Sequence, residues 1–259
     1  MDIAVCVKQT VDLQQVRIRK ETREPVLDNI PLTLGNIDKN AVEEAVRIKE
    51  KVGGKIVAIS AGSDKLDDTI KEAMAMGADE AVLVTAPELD GAESAVAAQV
   101  LARAIQKNGP FDLILLGEGS ADNYSGQVGP RLAEILKIPQ ITFVKSLEIE
   151  GSGLKAIRNL DDSFETVEVE LPALVTVISE INEPRIPSVT QILKAGKKAK
   201  QIYKPADLDL DLTSISPMVA SISNLAPEQE RKHILFQEGL DKDVPNLVKA
   251  LENEGLVRR

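Results

Sequence analysis

The 259-residue sequence holds one cysteine, Cys6, and one histidine, His233. A single thiol excludes an intrachain disulfide and a cysteine-held metal cluster. A single imidazole argues against a histidine-ligated metal and against a histidine-based catalytic triad. Tryptophan is absent, and aromatic residues make up 2% of the chain. The core must therefore be built from Val, Ile, Leu and Ala, the composition of buried parallel strands flanked by alanine-rich helices. No apolar run approaches the ~18 residues of a membrane span. The opening MDIAVCVKQT lacks a basic flank and a small-residue cleavage pattern, so a soluble cytoplasmic protein is expected. Basic residues are outnumbered, and the formal net charge of −10 is repelled by phosphate backbones, which sets nucleic acid aside as a partner.

What is present is a set of short apolar runs bounded by turn or charge signals. IAVCV (3–7), KIVAIS (55–60), AVLVT (81–85), DLILL (112–116) and ALVTVI (173–178) read as buried strands. Helical patterns separate them: AVEEAVRIKEK (41–51), DDTIKEAMAMG (67–77), ESAVAAQVLARAIQKNG (93–109) and QVGPRLAEILK (127–137). Strand–helix alternation predicts an α/β fold with a mostly parallel sheet and helices on both faces. After residue 144 the period changes. VKSLEIEGSGLKAIRNL and SFETVEVEL alternate around a Gly-Ser-Gly turn at 151–153, which predicts an antiparallel hairpin plus a third strand. Residues 182–212 carry three prolines and a lysine cluster and read as a long surface excursion. The tail is poor in apolar residues and closes with the amphipathic DVPNLVKALENEGLVRR, so it is expected to pack on another surface, such as a partner chain.

The stretch most suggestive of chemistry is GEGSADNYSGQVG (117–129), between a strand and a helix. A dinucleotide fingerprint needs GxGxxG; Gly117 and Gly119 fit, but Asp122 stands at the sixth position. A Walker loop needs GK[ST], which is missing. The physical case remains. In parallel sheets ligands sit beyond the carboxyl ends of strands. A helix start near Ser125–Gln127 offers free N–H groups and the positive end of a dipole to a phosphate. Gly117, Gly119 and Gly126 allow close backbone approach, and Ser120, Ser125 and Gln127 can donate. Asp122 suits a ribose hydroxyl or a cap. An ordinary turn stays open on these residues alone. Lys8, after the first strand, could neutralise phosphate, and Ala61 ends the second. Cys6 reads as a small core residue.

The sequence resembles the small (beta) subunit of electron transfer flavoproteins. The matching pieces are VCVKQTVD (5–12), AVEEAVRIKEK (41–51), AMAMGADEAVLV (73–84), LLGEGSADNYSGQVGPRLAE (115–134), LPALVTVISEINEPR (171–185), QILKAGKKAKQIYKPADL (191–208) and the EGLVRR end. They stand in family order, and NEPR followed by a lysine-rich run is the most specific. The resemblance implies an adenine nucleotide alpha hydrolase-like fold over residues 1–183, a partner-recognition loop over 184–204 and a C-terminal arm over 205–259 that packs on an FAD-holding alpha subunit. It implies a nucleotide site formed by Cys6, Lys8, the stretch Gly35-Asn36-Ile37-Asp38, Ala61 and the loop Gly117, Gly119, Ser120, Ala121, Asp122, Asn123, Tyr124, Ser125, Gly126, Gln127 and Val128. Many members have Asn-Pro where this chain reads GNID; Asp38 matches better. Ordinary members hold AMP in that site, and electron-bifurcating members hold FAD. VKQ is like the bifurcating type, whereas TVDLQQVRIR is closer to the AMP type. Both stay open, with FAD the preferred occupant. The resemblance further implies docking to a flavin-containing dehydrogenase through Arg185, Val189, Ile192, Leu193, Lys194 and Lys197, the last two joined by Lys198 and Lys200 in a basic patch. For a bifurcating member it adds NADH and a ferredoxin or flavodoxin. An adenylating ligase would need a Ser-Gly-Gly-type loop where VKQTVD stands, and an ATP-binding signalling module spaces its glycines differently.

Overall fold

The secondary structure follows from where the apolar runs sit. In the computed structural model, which describes residues 1–213, 215, 219, 221–228 and 232–257, the chain opens with β1 (Asp2–Cys6). Four short strands follow, β2 (Gln9–Val11), β3 (Arg17–Ile18), β4 (Pro25–Val26) and β5 (Leu32–Leu34), pairing as β2–β5 and β3–β4 ribbons. Helices and strands then alternate: α1 (Asn36–Val52), β6 (Lys55–Gly62), α2 (Leu66–Met76), β7 (Glu80–Thr85), α3 (Ser94–Asn108), β8 (Leu113–Gly117) and α4 (Val128–Leu136). The antiparallel excursion is β9 (Gln140–Glu150), β10 (Gly153–Asn159) and β11 (Phe164–Glu170). The chain returns to the centre as β12 (Ala173–Val177) and continues through α5 (Val189–Ala195), β13 (Lys200–Tyr203) and α6 (Leu240–Asn253). Arg258 and Arg259 of the EGLVRR end lie outside the described residues.

One nine-stranded sheet runs β11-β10-β9-β12-β8-β1-β6-β7-β13. From β9 to β13 all neighbours are parallel, while β10 and β11 are antiparallel. Side chains alternate between faces, so β1 serves two cores. Ile3 and Val5 pack with Val42 and Ala45 of α1 and Ile70 and Met74 of α2. Ala4 and Cys6 pack with Val100 and Leu101 of α3 and Leu132 of α4. The expected α/β architecture and its antiparallel hairpin are present.

Two expectations need correction. First, the helix expected over 41–51 begins at Asn36. Its first turn, NIDKN, has Ile37 as its one apolar residue and so carries no apolar period, because Asp38 and Asn40 are buried there for hydrogen bonding rather than packing. Second, the surface excursion from 182 is not all loop: KQIY pairs with β7 as the sheet's edge strand. An edge strand has one neighbour, and Ile202 points to solvent, so no alternation betrays it. The tail holds to α3's side as far as Leu208, Leu210, Leu212 and Ile215. Beyond that, α6 buries no residue and displays Leu240, Val244, Leu247 and Val248. No described helix is long and apolar enough to cross a membrane.

Candidate functional site

The order of the strands decides where a site can form. β1, β6 and β7 advance in one direction; α3 then carries the chain back across β1 to β8. β1 and β8 are thus neighbours whose loops diverge, the switch point at which open α/β sheets place ligands. Beyond their carboxyl ends lies a cleft open to solvent. Its walls come from Cys6–Gln9 after β1, Ala61–Ser63 after β6, Leu89–Ala92 after β7 and the Gly117–Gly129 loop after β8.

One buried carboxylate ties the floor together. Asp38, in the first turn of α1, accepts the Lys8 N–H at 2.8 Å on Oδ2 and the Gly117 N–H at 3.2 Å on Oδ1. It therefore joins the ends of β1 and β8. The fit depends on two missing side chains. A Cβ on Gly35 would stand 2.8 Å from Oδ2, and one on Gly117 would stand 2.7 Å from Oδ1. Burial pushes the Asp38 carboxyl up to about 7, against the pull of the two N–H donors and the Lys8 charge. Burial, and secondarily Asp38, raises the neighbouring Cys6 thiol to about 12, so Cys6 is an inert wall rather than a nucleophile.

The glycine loop is backbone held open. Ser120 C=O accepts the N–H of Tyr124 at 2.7 Å. Tyr124 and Gly126 take left-handed φ values of 48° and 64°. The Tyr124 hydroxyl bonds the Glu118 carboxylate, and its ring covers Gly119, where a Cβ would meet the ring at 3.3 Å. α4 then starts at Val128 with no side-chain cap, so its leading N–H groups face the cleft without a side-chain partner. Lys8 is committed elsewhere. Its ammonium sits 2.8 Å from both Asp122 oxygens and 3.4 Å from Ser120 Oγ. Partial burial works to raise the Asp122 carboxyl, but the Lys8 ammonium and the Ser120 hydroxyl together hold it below the usual range. The expected phosphate-neutralising lysine is thus half of an ion pair that braces the loop against β1.

Of the residues expected in the site, Gly35, Asn36, Ile37, Ala121, Asp122 and Tyr124 stand off the cleft lining; the others line it. Sequence reasoning misses the fourth wall: Leu89–Ala92, Ser94, and Ala97 and Leu101 of α3. The signal is present. ELDG closely follows the strand run AVLVT, and the rule applied to the other strand ends covers it equally.

The lysine segment looks different. Ile186, Val189, Ile192 and Leu193 are exposed, at 94%, 73%, 56% and 70%. Ser188 and Gln191 form a capping box for α5, and Ala195 is buried. The basic patch is smaller than expected. Lys198 donates to the carbonyls of Met74 and Ala78 at the end of α2, at 2.8 and 2.6 Å. Lys200 pairs with Asp67. Arg185 turns inward onto Glu43 and Glu50. Lys194 and Lys197 remain outside every ion pair found among the described residues. The long charged side chains at the segment's ends are drawn to carbonyls and carboxylates of α1 and α2, which a sequence pattern cannot see.

The chain that builds this parallel sheet and its switch-point cleft matches the electron transfer flavoprotein domain over residues 27–208. The chain belongs to the electron transfer flavoprotein family, as a beta subunit. It is 39% identical to the electron transfer flavoprotein subunit beta of Thermoanaerobacterium thermosaccharolyticum, over 99% of this chain and 100% of that one. The Bacillus subtilis subunit beta is 37% identical over 99% and 100%. CarD of the caffeyl-CoA reductase–Etf complex of Acetobacterium woodii is 35% identical over 81% and 80%.

Proposed function

We propose that this beta subunit pairs with an alpha subunit and holds FAD in the cleft, as part of an electron carrier serving a flavin-containing dehydrogenase. The observation that carries the reading is the uncapped start of α4 facing a switch-point cleft. The residues fit an adenine nucleotide. Backbone N–H groups at Gln127–Gly129 would take phosphate, the hydroxyls of Ser120 and Ser125 would add donors, and Leu89, Ala97, Leu101 and Leu116 give an apolar wall for a ring system. Glycines at 117, 119 and 126 admit the ligand close to the main chain.

Bound FAD supplies the redox chemistry; the protein supplies placement, dielectric and access. Nothing in the cleft needs a nucleophile or an acid–base pair. Cys6 is locked in its neutral form, and Asp38 is engaged by two N–H donors. Docking to the dehydrogenase falls to Val189, Ile192 and Leu193, with Lys194 and Lys197 steering an acidic surface. With FAD in this subunit, NADH would serve as donor and a ferredoxin or flavodoxin as a second acceptor. The similarity to a subunit of a caffeyl-CoA reductase–Etf complex supports a CoA-ester reductase as the docking partner.

The test is to denature the purified heterodimer and quantify FAD and AMP. Two FAD per heterodimer are expected. One FAD with one AMP overturns FAD as the occupant and leaves an adenine nucleotide site; no nucleotide beyond the alpha subunit's FAD overturns the cleft reading.

A further inference from the structure

The exposed segment Ile186–Leu193 leaves the body of the protein through a fixed gate. The Arg185 guanidinium places Nε 2.7 Å and Nη2 3.2 Å from the two Glu43 oxygens. On its other edge, Nη1 is 2.7 Å and Nη2 3.2 Å from the Glu50 oxygens. The Arg185 backbone N–H adds a bond of 3.2 Å to Glu43 Oε2. A guanidinium held in two forks fixes direction as well as distance, which a lysine ammonium cannot do. Glu43 is itself held rigidly within α1. Its side chain is 3% exposed and is also bound by Arg47 at 2.8 Å. Three residues before Arg185, Asn182 exchanges amide bonds with Asn40 and donates to Glu44 at 3.0 Å. Every one of these anchors belongs to α1. At the far end, Ala195 is buried and Lys198 is tied to α2. Between the two ends the apolar side chains of Ile186, Val189, Ile192 and Leu193 stand exposed.

We propose that Arg185 is a positioning residue for docking: locked to Glu43 and Glu50, it sets the path of the chain so that Val189, Ile192 and Leu193 are arranged before a dehydrogenase arrives. This rests on the docking role proposed above. The alternative is that Arg185 itself meets the partner. The two differ in what they require of Glu43, which is buried and cannot touch a partner. Ordering one or two side chains in advance changes association by about three- to tenfold.

The experiment uses the heterodimer carrying Glu43→Gln, Glu50→Gln or Arg185→Ala, with Glu50→Gln serving as the mild variant because Glu50 is exposed. Hydrogen exchange should rise over 183–195 in all three, with nucleotide content and exchange elsewhere unchanged. In turnover with a dehydrogenase, KM for the carrier should rise about three- to tenfold in Glu43→Gln, with kcat held. Combining Glu43→Gln with Arg185→Ala should add little to either alone. Unchanged exchange over 183–195 overturns the clamp. A KM effect in Arg185→Ala but none in Glu43→Gln assigns Arg185 to direct contact and overturns the proposal. If the unaltered heterodimer reduces no dehydrogenase partner, the docking reading fails, and the exchange data still judge the clamp.

Discussion

The cleft and the docking segment are both made at the ends of elements, yet they are held by opposite means. The cleft is backbone: glycines, uncapped N–H groups and one buried carboxylate that joins two strand ends. The docking segment is side chains: exposed aliphatics on a short helix, moored by arginine and lysine at its flanks. A site made of backbone leaves no slack, because each atom is also part of the fold. A site made of surface side chains can change without disturbing the core. The same substitution should therefore cost much in one region and little in the other.

Alanine at glycine gives the widest contrast. In Gly117→Ala the new Cβ would lie 2.7 Å from Asp38 Oδ1 and 3.1 Å from Ile37, both parts of the packed floor. Something must move, so a loss of about 1–3 kcal/mol in chemical denaturation is expected, together with loss of bound nucleotide. Gly196→Ala, at the end of α5, meets only a carbonyl at 3.9 Å. It should stay within about 0.5 kcal/mol of the parent and keep its nucleotide. Equal losses in the two variants would break the comparison.

A smaller effect isolates the carboxylate. Asp38 is buried with its carboxyl raised to about 7, whereas the unfolded chain releases that proton near 3.8. The folded state therefore binds the proton more tightly, and this group's contribution to stability rises as pH falls through 7. Lys8 opposes the shift and Asp122 adds to it; the buried Cys6 stays neutral throughout. Between pH 8 and 6 the gain is about 1.4 kcal/mol. Asp38→Asn removes the titrating group, so the difference in stability between parent and variant should change by that amount across the interval. A flat difference would mean that Asp38 is ionised throughout and that burial is not what governs it.

These residues also show how much is legible in advance. The five buried strands and four main helices can be read because each carries an apolar run or period of its own. The glycine loop can be read as a ligand loop because a strand, glycines and a helix start follow in order. Asp38 is reached only through family resemblance, since a lone acid in a polar helix turn carries no local signal of burial. The Lys8–Asp122 pair joins residues far apart in sequence, so a local reading gives each to the ligand instead of to the other. Arg185, Lys198 and Lys200 escape a local reading for the same reason: each is satisfied by a partner that only the tertiary fold brings near. The loop after β7 needs only the strand-end rule applied once more.

The least costly change falls on the docking segment. Val189 is the first residue of α5 and is 73% exposed, so Val189→Asp removes little packing. An acid in the first turn also suits the helix dipole, and the capping box of Ser188 and Gln191 is untouched. Thermal stability and nucleotide content should thus match the parent. A dehydrogenase surface that accepts an aliphatic side chain will not accept a charge without desolvating it, so KM for the carrier should rise roughly threefold to tenfold, with kcat unchanged. Stopped-flow mixing of the reduced heterodimer with the dehydrogenase reads this directly. If transfer is as fast as in the parent, Val189 lies outside the contact. If nucleotide is lost as well, the segment is not independent of the cleft, and the division between a backbone-built site and a side-chain-built one does not hold.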